Sequence, residues 1–292
     1  MQLVVLAAGH GTRYGGVKQL APVGPHDEAI MDYTAIAAES CGFDGVVLVV
    51  RDEIRAQMER HVRTHWPASL PVAFVCQAPI PGTAQAVLSA RPALDGAFGV
   101  ANADDLYGEA VLQVVRDHFG RPRADGTTDD AHVLVAYQLG RTVLTEATVK
   151  RGLCEMDDEG QLVRIAEHTV TLQEDGRFVA VPVASHGQSA PTGPRSLAGS
   201  VRVSMNLWGF HPRMLDHLAT ALESFDPRAD THELLLPQVV GELLTSGADR
   251  VRVVNTEASC IGITHRGDIS IVREHLASDT GDRVTTAEIP GT

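Results

Sequence analysis

Short, wholly apolar runs alternate along the first half of this chain with segments of mixed, helix-like periodicity. Runs at 3–6, 45–50, 72–76, 98–103 and 133–137 are rich in valine and leucine, with no polar residue on alternate positions. That pattern predicts strands buried on both faces, the kind found in parallel sheets. Between them, 30–41 reads as a helix stopped by Gly42, 52–65 as a charged helix starting at Asp52, 84–90 as a short helix, and the stretch ending at 119 as another. Alternating strands and helices of this length predict right-handed crossovers and ligand sites beyond the carboxyl ends of the strands. His61 and His65 stand four apart on the 52–65 helix, a metal-ligand spacing. With no acidic or third histidine partner evident for the pair, a solvated helix face is the expectation.

After residue 150 the rhythm changes. Apolar segments at 150–156 and 162–166 flank Asp157-Asp158-Glu159-Gly160, which predicts a β-hairpin rather than another crossover. Polar, glycine- and proline-rich stretches at 121–130 and 185–199 predict loops. A strand at 201–210, helices at 212–222 and 231–245, strands at 251–254 and 260–264 and a helix at 268–277 follow. The charged, threonine-rich tail from 278 predicts poor order. No linker divides the pattern, so the expectation is one α/β domain over 1–292: a Rossmann-like mixed, mostly parallel sheet flanked by helices, with a β-hairpin insertion.

Composition narrows the partners. The 292 residues are 44% hydrophobic and 21% charged with a formal net charge of −13, which excludes a nonspecific binder of nucleic acid and leaves only local anion sites. Cys41, Cys76, Cys154 and Cys260 are far apart, and neither an export signal nor a membrane-length apolar run is visible. A cytoplasmic protein with reduced thiols, without membrane attachment, is expected; self-association stays open.

The chemistry gathers at the end of the first strand. Leu6-Ala7-Ala8-Gly9-His10-Gly11-Thr12-Arg13-Tyr14-Gly15-Gly16-Val17-Lys18-Gln19 is a glycine-rich loop carrying two cations, suited to a polyphosphate. It is not the dinucleotide fingerprint, since Tyr14 fills the third glycine position. It is not a P-loop either, since Val17-Lys18 follows Gly16 where Lys and Ser or Thr are required. The order Leu-Ala-Ala-Gly-x-Gly-Thr-Arg, then a lysine and Pro22-Val23, does resemble the signature of sugar-phosphate nucleotidyltransferases, specifically their compact bacterial branch. Ala103-Asp104-Asp105-Leu106-Tyr107-Gly108 and Val203-Ser204-Met205-Asn206-Leu207-Trp208-Gly209-Phe210 extend the resemblance over most of the chain.

The resemblance implies attack of a sugar-phosphate oxygen on the α-phosphorus of a nucleoside triphosphate, with pyrophosphate leaving. It assigns Arg13 to the β- and γ-phosphates, Lys18 to the α-phosphate and incoming phosphate, and Asp104, with Asp105 as a second candidate, to Mg2+. Ala7, Ala8, Gly9, Gly11 and Thr12 would line the nucleotide, and Gln77, five residues before Gly82-Thr83, would read the base. Gly152 and Glu167 match sugar-binding positions, and His168 stands where some relatives have a catalytic lysine. The second metal ligand expected within 260–264 is missing, which leaves Asp105 or Asp268 as substitutes. A glycosyltransferase of similar fold and a catalytically silent nucleotide-binding regulator remain as alternatives.

Overall fold

The computed structural model describes residues 1–9, 16–120, 129–143, 148–183, 193–226 and 233–278. The strands, in chain order, are β1 (Gln2–Leu6), β2 (Val46–Val50), β3 (Val72–Cys76), β4 (Phe98–Asn102), β5 (Asp105–Leu106), β6 (His132–Gln138), β7 (Thr148–Met156), β8 (Leu162–Leu172), β9 (Phe178–Pro182), β10 (Arg195–Leu197), β11 (Arg202–Phe210), β12 (Val251–Asn255) and β13 (Ile261–Gly262). The helices are α1 (Ile30–Ser40), α2 (Asp52–His65), α3 (Thr83–Ser89), α4 (Glu109–Gly120), α5 (Met214–Ser224), α6 (Leu236–Ser246) and α7 (Asp268–Ser278).

β3, β2, β1 and β4 pair in parallel, β11 joins antiparallel between β4 and β6, and β12 lies parallel to β6. The central sheet is therefore mostly parallel. From β11 an antiparallel arm of β7, β8, β9 and β10 extends outward. The apolar runs of the first half exist because both faces are covered. Leu3 and Val5 of β1 enter a core with Met31 of α1, Met58 of α2 and Leu112 of α4, whereas Val4 and Leu6 enter another with Val87 of α3, Met214 of α5 and Leu236 of α6. Each fully buried Leu, Val or Met contributes roughly 1.5–3 kcal/mol, so this double-sided burial fixes the register of β1 and the place where its loop begins. No helix among the described residues is long and apolar enough to cross a membrane. All four cysteines are free thiols.

The sequence-expected elements form, with corrections in the arm. The hairpin is longer than its apolar segments suggested. The strand Phe178–Pro182 was not anticipated, and Arg195–Leu197, inside the expected 185–199 loop, pairs with it. Alternation explains the omission: Phe178 and Ala180 are buried while Val181, the next residue, is exposed, too short a pattern to stand out. Most of both expected loops, the start of the 231–245 helix and the tail lie outside the described residues. The solvated face assigned to His61 is also overturned, because that ring packs on Asp32 of α1.

β11 explains the 203–210 motif. Its pairing with β6 shifts between Ser204 and Trp208, and Asn206 in the gap adopts a left-handed conformation with φ 61°. The bulge lets one strand pair with β4 at Trp208–Phe210 and with β7 at Val203 and Ser204. Trp208 Nε1 donates to Asn206 Oδ1 at 3.0 Å, and Asn206 Nδ2 donates to Asn102 Oδ1 at 3.4 Å, which ties the bulge to the end of β4.

Candidate active site

The carboxyl ends of β1 and β4 lie side by side, with Leu6 opposite Asn102. The chain leaving β1 stays in that register: Ala7 N–H donates to Val49 at 2.8 Å, and Ala103 N–H donates to Leu6 at 3.1 Å. Ala7 and Ala8 are buried, so they act through backbone alone, and Gly9 is exposed. Gly11, Thr12 and Arg13 lie outside the described residues. Where the loop resumes, the 3-10 turn Lys18–Leu20 packs back, and buried Gln19 donates from Nε2 to the Gly9 carbonyl at 2.9 Å. The glutamine that ends Gly15-Gly16-Val17-Lys18-Gln19 thus spans both ends of the glycine loop.

Lys18 forms an ion pair with Asp104, both side chains being about one-fifth exposed, and its Nζ also reaches the Ile263 carbonyl at 3.4 Å. Ile263 N–H in turn donates to the Asp104 carbonyl at 3.0 Å. The loop after β1, the turn after β4 and the chain after β13 converge on this pair. Such half-buried, opposite charges hold each other in place until a ligand competes for either one.

Asp105 differs from its neighbour. It is buried, accepts from Asn102 Nδ2 at 2.7 Å, and packs so tightly on Gly262 that a Cβ there would sit 2.1 Å from Asp105 Oδ1. Burial, with the adjacent Asp104 charge adding to it, pushes its carboxyl up to about 6. Asp105 therefore braces the β5–β13 contact. Asp268 caps α7, accepting from Thr264 and His265 N–H at 2.7 Å each. A cavity of about 60 Å³ lies between Asp104, Asp105, Asp268, Arg151 and Thr264. Arg151, not singled out in the sequence, supplies a cation there and is anchored by Nη2 to the Thr142 carbonyl at 2.7 Å. A roomier cavity of about 980 Å³, lined by Tyr33, Tyr107, Arg141 and Arg273 among others, contains neither Lys18 nor Asp104.

Gln77 follows β3, and its Nε2 donates to the Ile80 and Gly82 carbonyls, both at 3.2 Å. The Gly82 carbonyl also accepts Ala86 N–H, so it is committed to the loop and to α3, leaving Gln77 Oε1 as the acceptor outside these bonds. Thr83 Oγ1 accepts Leu236 N–H at 2.8 Å, which joins the starts of α3 and α6.

In the arm, Gly152 of β7 lies opposite Glu167 of β8 and Ser204 of β11, so these three positions share one face. Glu167 is half-buried and its carboxyl is raised by burial, against the pull of Lys150 and Arg151. His168 points to the other face. It is 1% exposed, holds the Ala166 carbonyl with Nδ1 at 2.9 Å, has a buried Nε2 without a partner, and is kept neutral-leaning by burial. The structure thus brings Gly152 and Glu167 together and separates His168 from them.

The model of the MobA-like NTP transferase domain matches residues 3–228. The chain belongs to this family. None of the curated proteins matches it. Among solved structures, the family member is similar to the inositol-1-phosphate CTP transferase from T. maritima, at 16% identity and a TM-score of 0.65, with 97% of each chain covered. It is also similar to a Bacillus anthracis protein, provisionally named a glucose-1-phosphate thymidylyltransferase and solved with sucrose, at 11% identity and a TM-score of 0.66. That match covers 95% of this chain and 96% of the other. At such identities the likeness concerns the fold, which agrees with the Rossmann-like expectation. For this NTP transferase the glycosyltransferase alternative gives way.

Proposed function

We propose that residues 1–292 form one catalytic unit that transfers a nucleotidyl group from a nucleoside triphosphate to a sugar 1-phosphate, releasing pyrophosphate. The observation that carries this reading is the Lys18–Asp104 pair at the carboxyl ends of β1 and β4, where the family's nucleotide loop begins. A phosphate oxygen of the sugar phosphate attacks the α-phosphorus, the bond to the β-phosphate oxygen breaks, and that oxygen leaves with pyrophosphate. No protein group need form a covalent bond, so catalysis rests on alignment and neutralised charge.

Lys18 exchanges Asp104 for the α-phosphate, and Arg13 takes the outer phosphates with its guanidinium fork. Asp104, freed of Lys18, offers a partly exposed carboxylate, the donor Mg2+ takes with waters and substrate phosphates, and the ion would supply charge neutralisation there. Ala7, Ala8, Gly9, Gly11 and Thr12 line the phosphates by backbone, and Gln77 Oε1 reads the base. Gly152 holds the sugar through its backbone beside Glu167, whose carboxylate accepts hydroxyls. The named neighbours, one acting on inositol 1-phosphate and the other provisionally on glucose 1-phosphate, favour a phosphorylated polyol as acceptor. A cytoplasmic setting, where both substrates are made, suits the four free thiols.

Pyrophosphate release, measured across a panel of triphosphates and sugar 1-phosphates, tests this. Release that requires one member of each class, and that stops in EDTA, is expected. Release with no sugar phosphate would overturn the reading in favour of hydrolysis of the triphosphate, and none with any pair would overturn it in favour of a silent nucleotide-binding regulator.

A further inference from the structure

Twenty-nine residues apart in sequence, Asp32 of α1 and His61 of α2 meet inside the fold, with His61 Nε2 at 2.9 and 2.8 Å from the two carboxylate oxygens. His65, one turn further along α2, stacks on His61 with ring centroids 4.0 Å apart and planes 14° from parallel. One ligand atom from each of the three residues lies within 4.8 Å of the other two. We propose that Asp32, His61 and His65 form a site for a zinc-class divalent transition metal, separate from the Lys18–Asp104 centre and independent of it.

The surrounding bonds are those a metal site requires. His65 Nδ1 lies 3.1 Å from the His61 carbonyl; donating its proton there leaves the lone pair on Nε2. Asp32 is fully buried and held by two donors unrelated to histidine, Trp66 Nε1 to Oδ1 at 2.7 Å and Ala29 N–H to Oδ2 at 2.7 Å. Two imidazoles and one carboxylate suit zinc, cobalt or nickel and not magnesium, whose ligands are oxygens. Tetrahedral ligand atoms about 2.0–2.1 Å from zinc lie roughly 3.3 Å apart, so the His61–Asp32 contact must open by about half an ångström, and the half-buried His65 ring must turn out of its stack on His61 to aim its in-plane lone pair at the same ion. The metal takes the place of the proton on His61 Nε2, and the ring binds as a neutral imidazole with its one remaining proton on Nδ1; a doubly protonated ring releases the Nε2 proton to solvent.

A fourth position is available. A cavity of about 510 Å³ adjoins the histidines, lined also by Leu20, Pro22, Asp27 and Arg60. The opposite charges of Asp27 and Arg60 offset each other at its rim. Leu20 belongs to the same 3-10 turn as Lys18, so a bound ion would brace α1 and α2 behind that turn.

The test uses the full chain, stripped of metal by a chelator and titrated with Co2+ under visible absorption. One equivalent should give the intense d–d bands of a tetrahedral site, Zn2+ should abolish them, and excess Mg2+ should leave them unchanged. His65→Ala should lose the bands and weaken Zn2+ binding at least about tenfold, the minimum cost of disturbing even a ligand's outer partner. That variant removes a half-buried ring bonded only to its own helix, so circular dichroism should stay native. His65→Cys, which restores a ligand, should recover the bands with a thiolate charge-transfer band added. Absence of d–d bands in the wild type, or equal Zn2+ affinity in folded His65→Ala, would overturn the proposal and leave the cluster as an ion pair joining α1 to α2. Neither outcome touches pyrophosphate release, so this site and the transferase reading succeed or fail separately.

Discussion

The parallel half of the sheet and the antiparallel arm hold the two ends of the proposed reaction in different ways. β1, β2 and β4 are buried on nearly every residue, so the loop after β1 and the turn after β4 start from fixed points. In the arm, β8 and β9 alternate between buried and open positions, and Val163 and Val181 stand 58% and 46% exposed. A strand locked on both faces can position a charge pair closely but tolerates little change. A strand with one open face can alter its side chains without disturbing the core. On the proposed function, the comparison teaches that phosphate chemistry falls to the rigid half and acceptor choice to the adaptable arm.

The largest expected effect comes from the rigid half. Lys18→Ala should cut kcat by on the order of 10²-fold or more, as loss of a positioned charge in a transition state does. Asp104→Asn should do the same, and because each side chain is only about one-fifth exposed, either change leaves a mostly buried charge unpaired and should also lower stability in urea unfolding. A normal kcat in Lys18→Ala, in steady-state assays, would move the chemistry elsewhere.

Next is the junction that carries Gln77. Gly82 has φ 122°, and a Cβ there would lie 2.2 Å from the Leu234 carbonyl oxygen. Gly82→Ala should therefore lower stability by about 1–3 kcal/mol from backbone strain alone, with the clash added, as read by urea unfolding. An unchanged midpoint would mean that the α3–α6 junction yields more easily than double-sided burial implies.

A smaller effect concerns pH. His132, the buried first residue of β6, accepts His211 N–H at Nδ1 (3.1 Å) and faces Asp249 with Nε2 (3.0 Å), which one neutral tautomer satisfies. Burial lowers its pKa below the usual 6.5 despite the pull of Asp249. The unfolded chain then takes up the proton first, so stability falls as pH drops from about 6.5 through the folded value. His132→Gln keeps one donor and one acceptor but does not titrate. It should flatten the dependence of unfolding free energy on pH between about 6.5 and 5.

The parallel half was readable because a short, continuous apolar run fits little except a strand covered on both faces. The motif residues Lys18 and Asp104 were readable for a different reason: their neighbours in sequence carry the resemblance, and the sheet only had to place two strand ends together. Arg151 was not, since a charged residue on a hairpin strand carries no mark of the face it takes. Asp105 stood beside Asp104 as a second metal candidate, and burial against Gly262 sets it apart. The partnership of Asp32 with His61 arises from helix packing across 29 positions, which no local pattern encodes.

The division between the two halves is tested most directly by steady-state kinetics of Glu167→Ala with both substrates varied. Glu167 shares a face with Gly152 in the arm. A carboxylate that accepts sugar hydroxyls makes charge-assisted bonds worth roughly 1.5–3 kcal/mol when lost. The KM for the sugar 1-phosphate should rise at least about tenfold, since about 1.4 kcal/mol is one decade, while that for the triphosphate stays within about twofold. A rise in both constants together, or in neither, would contradict the assignment of the acceptor to the arm.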